Sequence, residues 1–198
     1  MQYTKRDWRN RNKINTPQGL KWLSVPVEVK GKFFQQINET KIVDPNWGKS
    51  HWDTIKNNYS KAPFFEEYRE QFEALYLDSN ELLLSKVNEV FIRIINEILG
   101  INTVIKRSEE FSLVEGKTEK LVDICLKSGA TDYYSGPAAK VYMDESLFDN
   151  AGINVHYFDY SGYPEYNHLH GDFEHGVTIL DLLFCEGKNS INFMKSFI

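Results

Sequence analysis

T-D-Y-Y-S-G-P-A-A-K (131–140) and I-N-V-H-Y-F-D-Y (153–160) are the stretches whose reading decides the fold. Tyr133-Tyr134 predicts a short strand ending at Ser135-Gly136, and residues 153–160 predict a second. A helix fits between them, and a strand that crosses over through a helix returns parallel to the first. Upstream, Thr118 is placed to cap a helix over 119–128 that buries Leu121, Val122, Ile124 and Cys125 and stops at Gly129; residues 103–105 read as a further short strand. Residues 79–99 carry apolar side chains at 83, 84, 87, 90, 91, 94, 95, 98 and 99, a helical spacing with a wide buried face that Gly100 ends. Residues 47–59 and 63–76 read as two helices split at Ala62-Pro63, since proline is tolerated in a first turn. In residues 1–43, L-K-W-L-S-V-P-V-E-V reads as a strand that Pro26 confines to an edge, with 33–43 as its hairpin partner through Gly31. A last helix is expected over 176–185. The expectation is therefore α/β: a small, mainly parallel sheet with flanking helices, an N-terminal hairpin region and a helical insertion, in one domain over 1–198.

With 198 residues, 41% hydrophobic and 26% charged, the chain is long enough to bury a core without disulfides or a metal; a domain of this size buries roughly 70% of its unfolded surface. Cys125 and Cys185 lie in apolar helical patterns, which predicts buried free thiols in a reducing compartment. The net charge of −5 gives no whole-surface attraction to nucleic acid or anionic membrane, and no specific DNA binding is expected. No segment reaches the roughly 18 apolar residues of a membrane span; residues 90–99 come nearest and are broken by Arg93, Asn96 and Glu97. The start shows no apolar leader core, so a cytoplasmic location is expected. Composition leaves the oligomeric state open.

The residues with chemistry fall in a few clusters. Lys5, Arg6, Arg9, Arg11 and Lys13 against Asp7 give a net +4 in nine residues of an acidic chain. Guanidinium groups match phosphate bidentately, so Arg6, Arg9 and Arg11 are candidates for a nucleotide sugar or another phosphorylated ligand. Gly116-Lys117-Thr118 is not a P-loop, because Phe111 stands where its leading glycine would be; Lys117 remains available to a phosphate at a helix start. Ser135, Gly136 and Lys140 sit where a strand end turns into a helix, the usual ligand position of open α/β sheets. Asp159 and the tyrosines that follow, Tyr163 and Tyr166 among them, can hydrogen-bond and stack on a sugar or base. His168-x-His170-x-Asp172-x-x-His175 has metal-ligand residue types, but Gly171 breaks the alternation and no second ligand cluster exists, so no metal is assigned. His175 and Asp159 are the candidate acid/base groups. No Ser-His-Asp or Cys-His signature stands in the sequence, and the cofactor is left open.

Gln2–Lys13, the strand 22–29, His51-Trp52, Asn58-Tyr59, 117–123, 135–140 and 159–183 together resemble the WbqC-like proteins of bacterial O-antigen and other surface-polysaccharide pathways, over almost the whole chain. The resemblance implies a cytoplasmic protein that modifies an amino sugar by acyl or aminoacyl transfer, glycyl being the usual suggestion. Family members begin further upstream, with a strand, a His-Gln-Pro-x-Tyr-like turn and Asp-Asp-Val before the Gln-Tyr-Thr-Lys segment. The expectation is a gene start placed too late or a trimmed chain, missing a core strand and a site histidine. An upstream in-frame His-Gln-Pro stretch would support it, and a stop codon there would sink it. Two functions follow: an acyl or aminoacyl transferase acting on a nucleotide-linked amino sugar, or a noncatalytic sugar-nucleotide-binding or scaffold protein of the same pathway.

Overall fold

The computed structural model describes residues 2–4, 8–78 and 80–195. Arg6 is among the residues outside that description. The architecture is α/β, with six α-helices and two two-stranded sheets among the described residues, one antiparallel and one parallel. The chain packs as two compact units: Met1–Asn102 with Tyr163–Ile198, and Thr103–Gly162.

In the first unit, Thr16-Pro17-Gln18-Gly19 closes the opening hairpin. The Gly19 amide donates to the Thr16 carbonyl and the Thr16 hydroxyl to the Gly19 carbonyl, with Pro17 in the turn position its fixed φ suits. This turn pairs β1 (Arg11–Ile14) antiparallel with β2 (Lys21–Ser24), Lys13 opposite Trp22. The expected partner, 33–43, is corrected: a six-residue connection closes more readily than a longer one, and the later segment meets the chain beyond Pro26 through the isolated bridge Val27–Ile42 and the Gln35 side chain on the Glu28 carbonyl, not as a strand. Phe33 and Phe34 are exposed.

Helices α1 (Trp47–Tyr59) and α2 (Phe65–Leu77) bury one face each, Trp52, Ile55 and Tyr59 from the first and Phe65, Tyr68 and Phe72 from the second. They close on α6 (Ile179–Glu186), whose Phe184 ring meets Tyr59, Phe65 and Phe72 at centroid distances of 5.5, 5.1 and 5.8 Å. Burying one such aromatic side chain stabilises the fold by about 2 kcal/mol. Gly48 lets α1 approach α2, because a Cβ there would collide with the Tyr76 carbonyl. Gly187 ends α6 at φ 57°, a conformation that only glycine adopts without strain. Helix α3 (Leu84–Ile98) departs from expectation. Of its apolar stripe only Leu84 and Val87 are fully buried, while Val90 and Ile92 stay exposed.

In the second unit, α4 (Thr118–Lys127) packs Cys125 with Phe148 of α5 (Glu145–Asn150), under β3 (Asp132–Ser135) and β4 (Asn154–Tyr157). The two strands are parallel, Tyr134 opposite His156, as the crossover predicts. Residues 103–105 form no strand. Thr118 does not cap α4. It sits buried inside the first turn, and its hydroxyl accepts the Asp144 amide at 3.2 Å. No helix among the described residues is long and apolar enough to cross a membrane.

Candidate functional site

The first unit holds a cleft of ≈ 310 Å³ between the hairpin, α1, α3 and the start of α6. Its apolar wall comes from α3, through Val87, Phe91, Ile92 and Ile95, with Leu23, Trp47 and Tyr76. Its polar rim comes from the stretch just before and within β1: Arg9, Asn10, Arg11 and Asn12. The Arg9 guanidinium lies 4.6 Å from the Trp8 ring centroid, and that of Arg11 lies 4.2 Å from Trp22, with the Lys13 ammonium at 5.3 Å from the same ring. Stacking on an indole face holds an arginine extended while leaving its donors in plane for a ligand.

Two polar atoms on this rim are buried and without a hydrogen-bond partner, the Arg11 Nε donor and the Asn10 Oδ1 acceptor. The Asn10 amide nitrogen is fixed on the Val25 carbonyl at 2.9 Å, so its oxygen has a set direction. Unpaired buried groups cost about 1–3 kcal/mol each and are uncommon outside sites that use them. His51, also in the lining, points Nε2 at the Ser24 carbonyl, 3.1 Å away; burial lowers its pKa from 6.5, so the ring is neutral at pH 7.

A second polar centre lies under the 163–176 loop. Asp181, on the first turn of α6, is fully buried and accepts the Tyr59 hydroxyl at 2.6 Å and the Tyr166 hydroxyl at 3.0 Å. His168, equally enclosed, brings Nδ1 to 2.7 Å from Asp181 Oδ1. That contact is close but not aligned as a hydrogen bond, so proximity holds it rather than a directed bond. His168 Nε2 accepts the Glu174 amide, which assigns the ring proton to Nδ1, facing the carboxylate. Burial first, and Asp181 second, push both tyrosine hydroxyls well above their ordinary range and the Cys185 thiol up to about 12. The Tyr59 oxygen also accepts the Asn15 amide, and His170 bonds the Asn58 carbonyl at 2.9 Å, so this centre fastens the loop to α1 and the hairpin.

The predicted site residues divide between the units. Arg9 and Arg11 rim the cleft. Tyr166 is committed to Asp181, and Tyr163 lies under the Lys195 ammonium at 5.4 Å. His175 is exposed, its ring edge against Phe173 at 4.5 Å, and it precedes α6 by several residues because the helix begins at Ile179 with Thr178 as its cap. Lys117, Ser135, Gly136, Lys140 and Asp159 belong to the second unit. Lys117 precedes α4 with its side chain exposed. Gly136 need not be glycine for close approach: its φ is −69° and an added Cβ would meet only the Tyr160 hydroxyl, at an ordinary 3.6 Å. The Lys140 ammonium rests 4.7 Å from the Tyr157 ring, and Asp159 accepts both the amide and hydroxyl of Ser161.

The family model of the WbqC-like proteins matches residues 1–193. The chain belongs to the WbqC-like protein family. The uncharacterized protein Rv1507c of Mycobacterium tuberculosis is similar to it at 46% identity, over 98% of this chain and 84% of that protein. No solved structure matches. In this WbqC-like fold the His168, His170, Asp172, His175 spacing does not assemble a ligand set. His168 and His170 spend ring nitrogens inside the protein, and no three His, Cys, Asp or Glu among the described residues are grouped to hold a metal. Sequence reasoning missed Asp181 and Asn10. Asp181 carried a signal, an acid inside the apolar run I-L-D-L-L-F-C; Asn10 carried none beyond its place among the arginines.

Proposed function

We propose that this WbqC-like protein is an acyl or aminoacyl transferase of surface-polysaccharide (O-antigen or lipopolysaccharide) biosynthesis, acting on a nucleotide-linked amino sugar from the cytoplasmic side of the membrane. The observation that carries the reading is the pair of buried, unpartnered atoms Arg11 Nε and Asn10 Oδ1 among the residues that rim an apolar cleft. A guanidinium donor and an amide acceptor fixed at the mouth of an apolar wall suit a phosphate joined to a flat or aliphatic group. In the reaction the sugar nitrogen attacks the acyl carbon and a base removes its proton; the leaving group departs with the bonding electron pair and takes up a proton. His175 is the candidate base of this unit, Asp159 that of the other. Calorimetric titration with a panel of nucleotide-linked amino sugars tests the reading: one should bind, and Arg11→Ala should weaken it by about tenfold or more. Failure of every member of the panel to bind would sink it.

A second reading, a noncatalytic binder of the same ligand, is favoured by one feature of the cleft. Its lining includes a single imidazole, His51, whose Nε2 is already spent on the Ser24 carbonyl. His175→Ala and Asp159→Asn separate the two. Lost turnover with binding kept supports catalysis; turnover kept in full removes both as essential groups.

A further inference from the structure

The parallel pair in the second unit covers only one of its faces. Tyr133, Val155 and Tyr157 point into the cluster of Cys125, Met143, Phe148 and Ile153. The alternate residues make an uninterrupted aromatic row. Tyr134 stacks on His156 at 4.6 Å and 20°, meets Phe158 at 5.8 Å, and Phe158 stacks on Tyr160 at 6.2 Å and 15°. Tyr134, Phe158 and Tyr160 are 60%, 45% and 61% exposed. Parallel strands are ordinarily covered on both faces, so a bare aromatic row calls for an occupant.

The charged group on this face is an acceptor. Asp132 takes the Thr131 hydroxyl at 2.7 Å, His156 Nε2 at 2.7 Å and the Asn154 amide at 3.2 Å; those hydrogen bonds hold its carboxyl below the usual range, so it is ionised. His156, whose Nε2 lies 2.7 Å from Asp132, keeps its other ring nitrogen on a side chain that is 43% exposed. Thr103–Gly162 carries six Lys and Arg against ten Asp and Glu, and Lys140, the one cation within 128–162, is turned onto Tyr157. That excess of acids favours a cationic group over an anionic one at this face. A ring that stacks flat on aromatic faces, offers many O–H and N–H donors and carries a positive charge complements it in shape, hydrogen bonding and sign.

We propose that Tyr134, Phe158 and Tyr160, flanked by Asp132 and His156, are a binding platform for the ring of an amino sugar in its ammonium form. This deepens the transferase reading and rests on it only for the sugar's place in the reaction. The test uses the whole chain, ¹³C-labelled in its aromatic rings, titrated by NMR with free glucosamine, glucose, N-acetylglucosamine and, separately, uridine diphosphate. Glucosamine should shift the Tyr134, Phe158 and His156 signals saturably, binding about threefold or more tighter than glucose or the N-acetylated sugar. Tyr134→Ala and Tyr160→Ala, both at exposed positions, should each abolish those shifts while leaving the rest of the spectrum folded. Uridine diphosphate should perturb the Trp22 and Arg11 region instead, so failure of the arginine cleft and failure of the platform read out separately. Absence of glucosamine shifts on this face, equal response to glucose, or shifts that follow protein concentration rather than sugar would each overturn the proposal, the last assigning the face to a second copy of the chain.

Discussion

Asp181 shows what one residue does inside an apolar helix. Its carboxylate accepts from both Tyr59 and Tyr166 and lies 2.7 Å from the enclosed His168 ring, so removing it strands two hydroxyls in the core and takes the charged neighbour from the imidazole. Asp181→Ala should lower unfolding free energy by about 3–5 kcal/mol in denaturant titration. Tyr59→Phe should cost less, about 1–2 kcal/mol, although it also releases the Asn15 amide. Equal costs would mean that the carboxylate is not the hub. His51 gives a pH-dependent counterpart. Its folded-state pKa lies below 6.5, so the unfolded chain binds the extra proton first, and the stability it contributes is present above pH 6.5 and drains away as pH falls below it. The melting temperature should fall between pH 7 and pH 5.5, and His51→Gln, which can keep a donor on Ser24, should flatten that part of the profile. The carboxyls held low, Glu81, Asp123 and Asp132, lose their contributions at more acid pH and leave this window clear.

At the scale of elements, what was legible in the sequence was whatever a period or a punctuating residue records. Pro63 marked the break between α1 and α2, and the crossover between 135 and 153 fixed the parallel pair. What was not legible was pairing between segments. The R-N-K-I of β1 stood out only for its charge, because alternating charged and polar residues leave almost no hydrophobic period; Ile14, buried against α1 and α6, anchors the strand. The cleft was hidden for a related reason. Periodicity gave α3 a broad apolar face but could not say that part of it would line a cavity instead of a core. Of the segments that carry the family resemblance, 2–13, 22–29, 51–52, 58–59 and 159–183 contribute residues to the cleft or the Asp181 centre, while 117–123 and 135–140 belong to the second unit. Helix packing offers its own test at Gly48. Alanine there favours helix intrinsically, by about 1 kcal/mol, yet its Cβ would strike the Tyr76 carbonyl across the α1–α2 contact. Overpacking should win, and Gly48→Ala should destabilise by roughly 1–3 kcal/mol in denaturant unfolding. A stabilised variant would mean that the two helices separate freely.

For the molecule as a whole, the decisive quantity is how unevenly its charge is spread. Residues 8–27 carry Arg9, Arg11, Lys13 and Lys21 and no acid, a net +4, so the rest of the chain holds −9 of the overall −5. Among the described residues neither Arg11 nor Lys13 is engaged in an ion pair; both instead lie against Trp22. A small dianion can reach this patch, and four cations are too few to hold a long polyanion tightly; at physiological ionic strength fields fade over about 8 Å. The consequence is a distinctive salt response. Uridine diphosphate bound at the arginine rim should weaken several-fold between 50 and 500 mM salt, because exposed charge pairs are screened over that range. Duplex DNA should fail to bind tightly even at 50 mM, where a basic face would hold it. Glucosamine on the aromatic row should lose a smaller factor, since stacking is largely insensitive to salt and only its contact with Asp132 is screened. Fluorescence anisotropy for the DNA and calorimetry for the two small ligands give the three slopes. Matching slopes for the diphosphate and the amino sugar would mean one shared electrostatic site, and would remove the division of labour argued for the arginine rim and the aromatic platform.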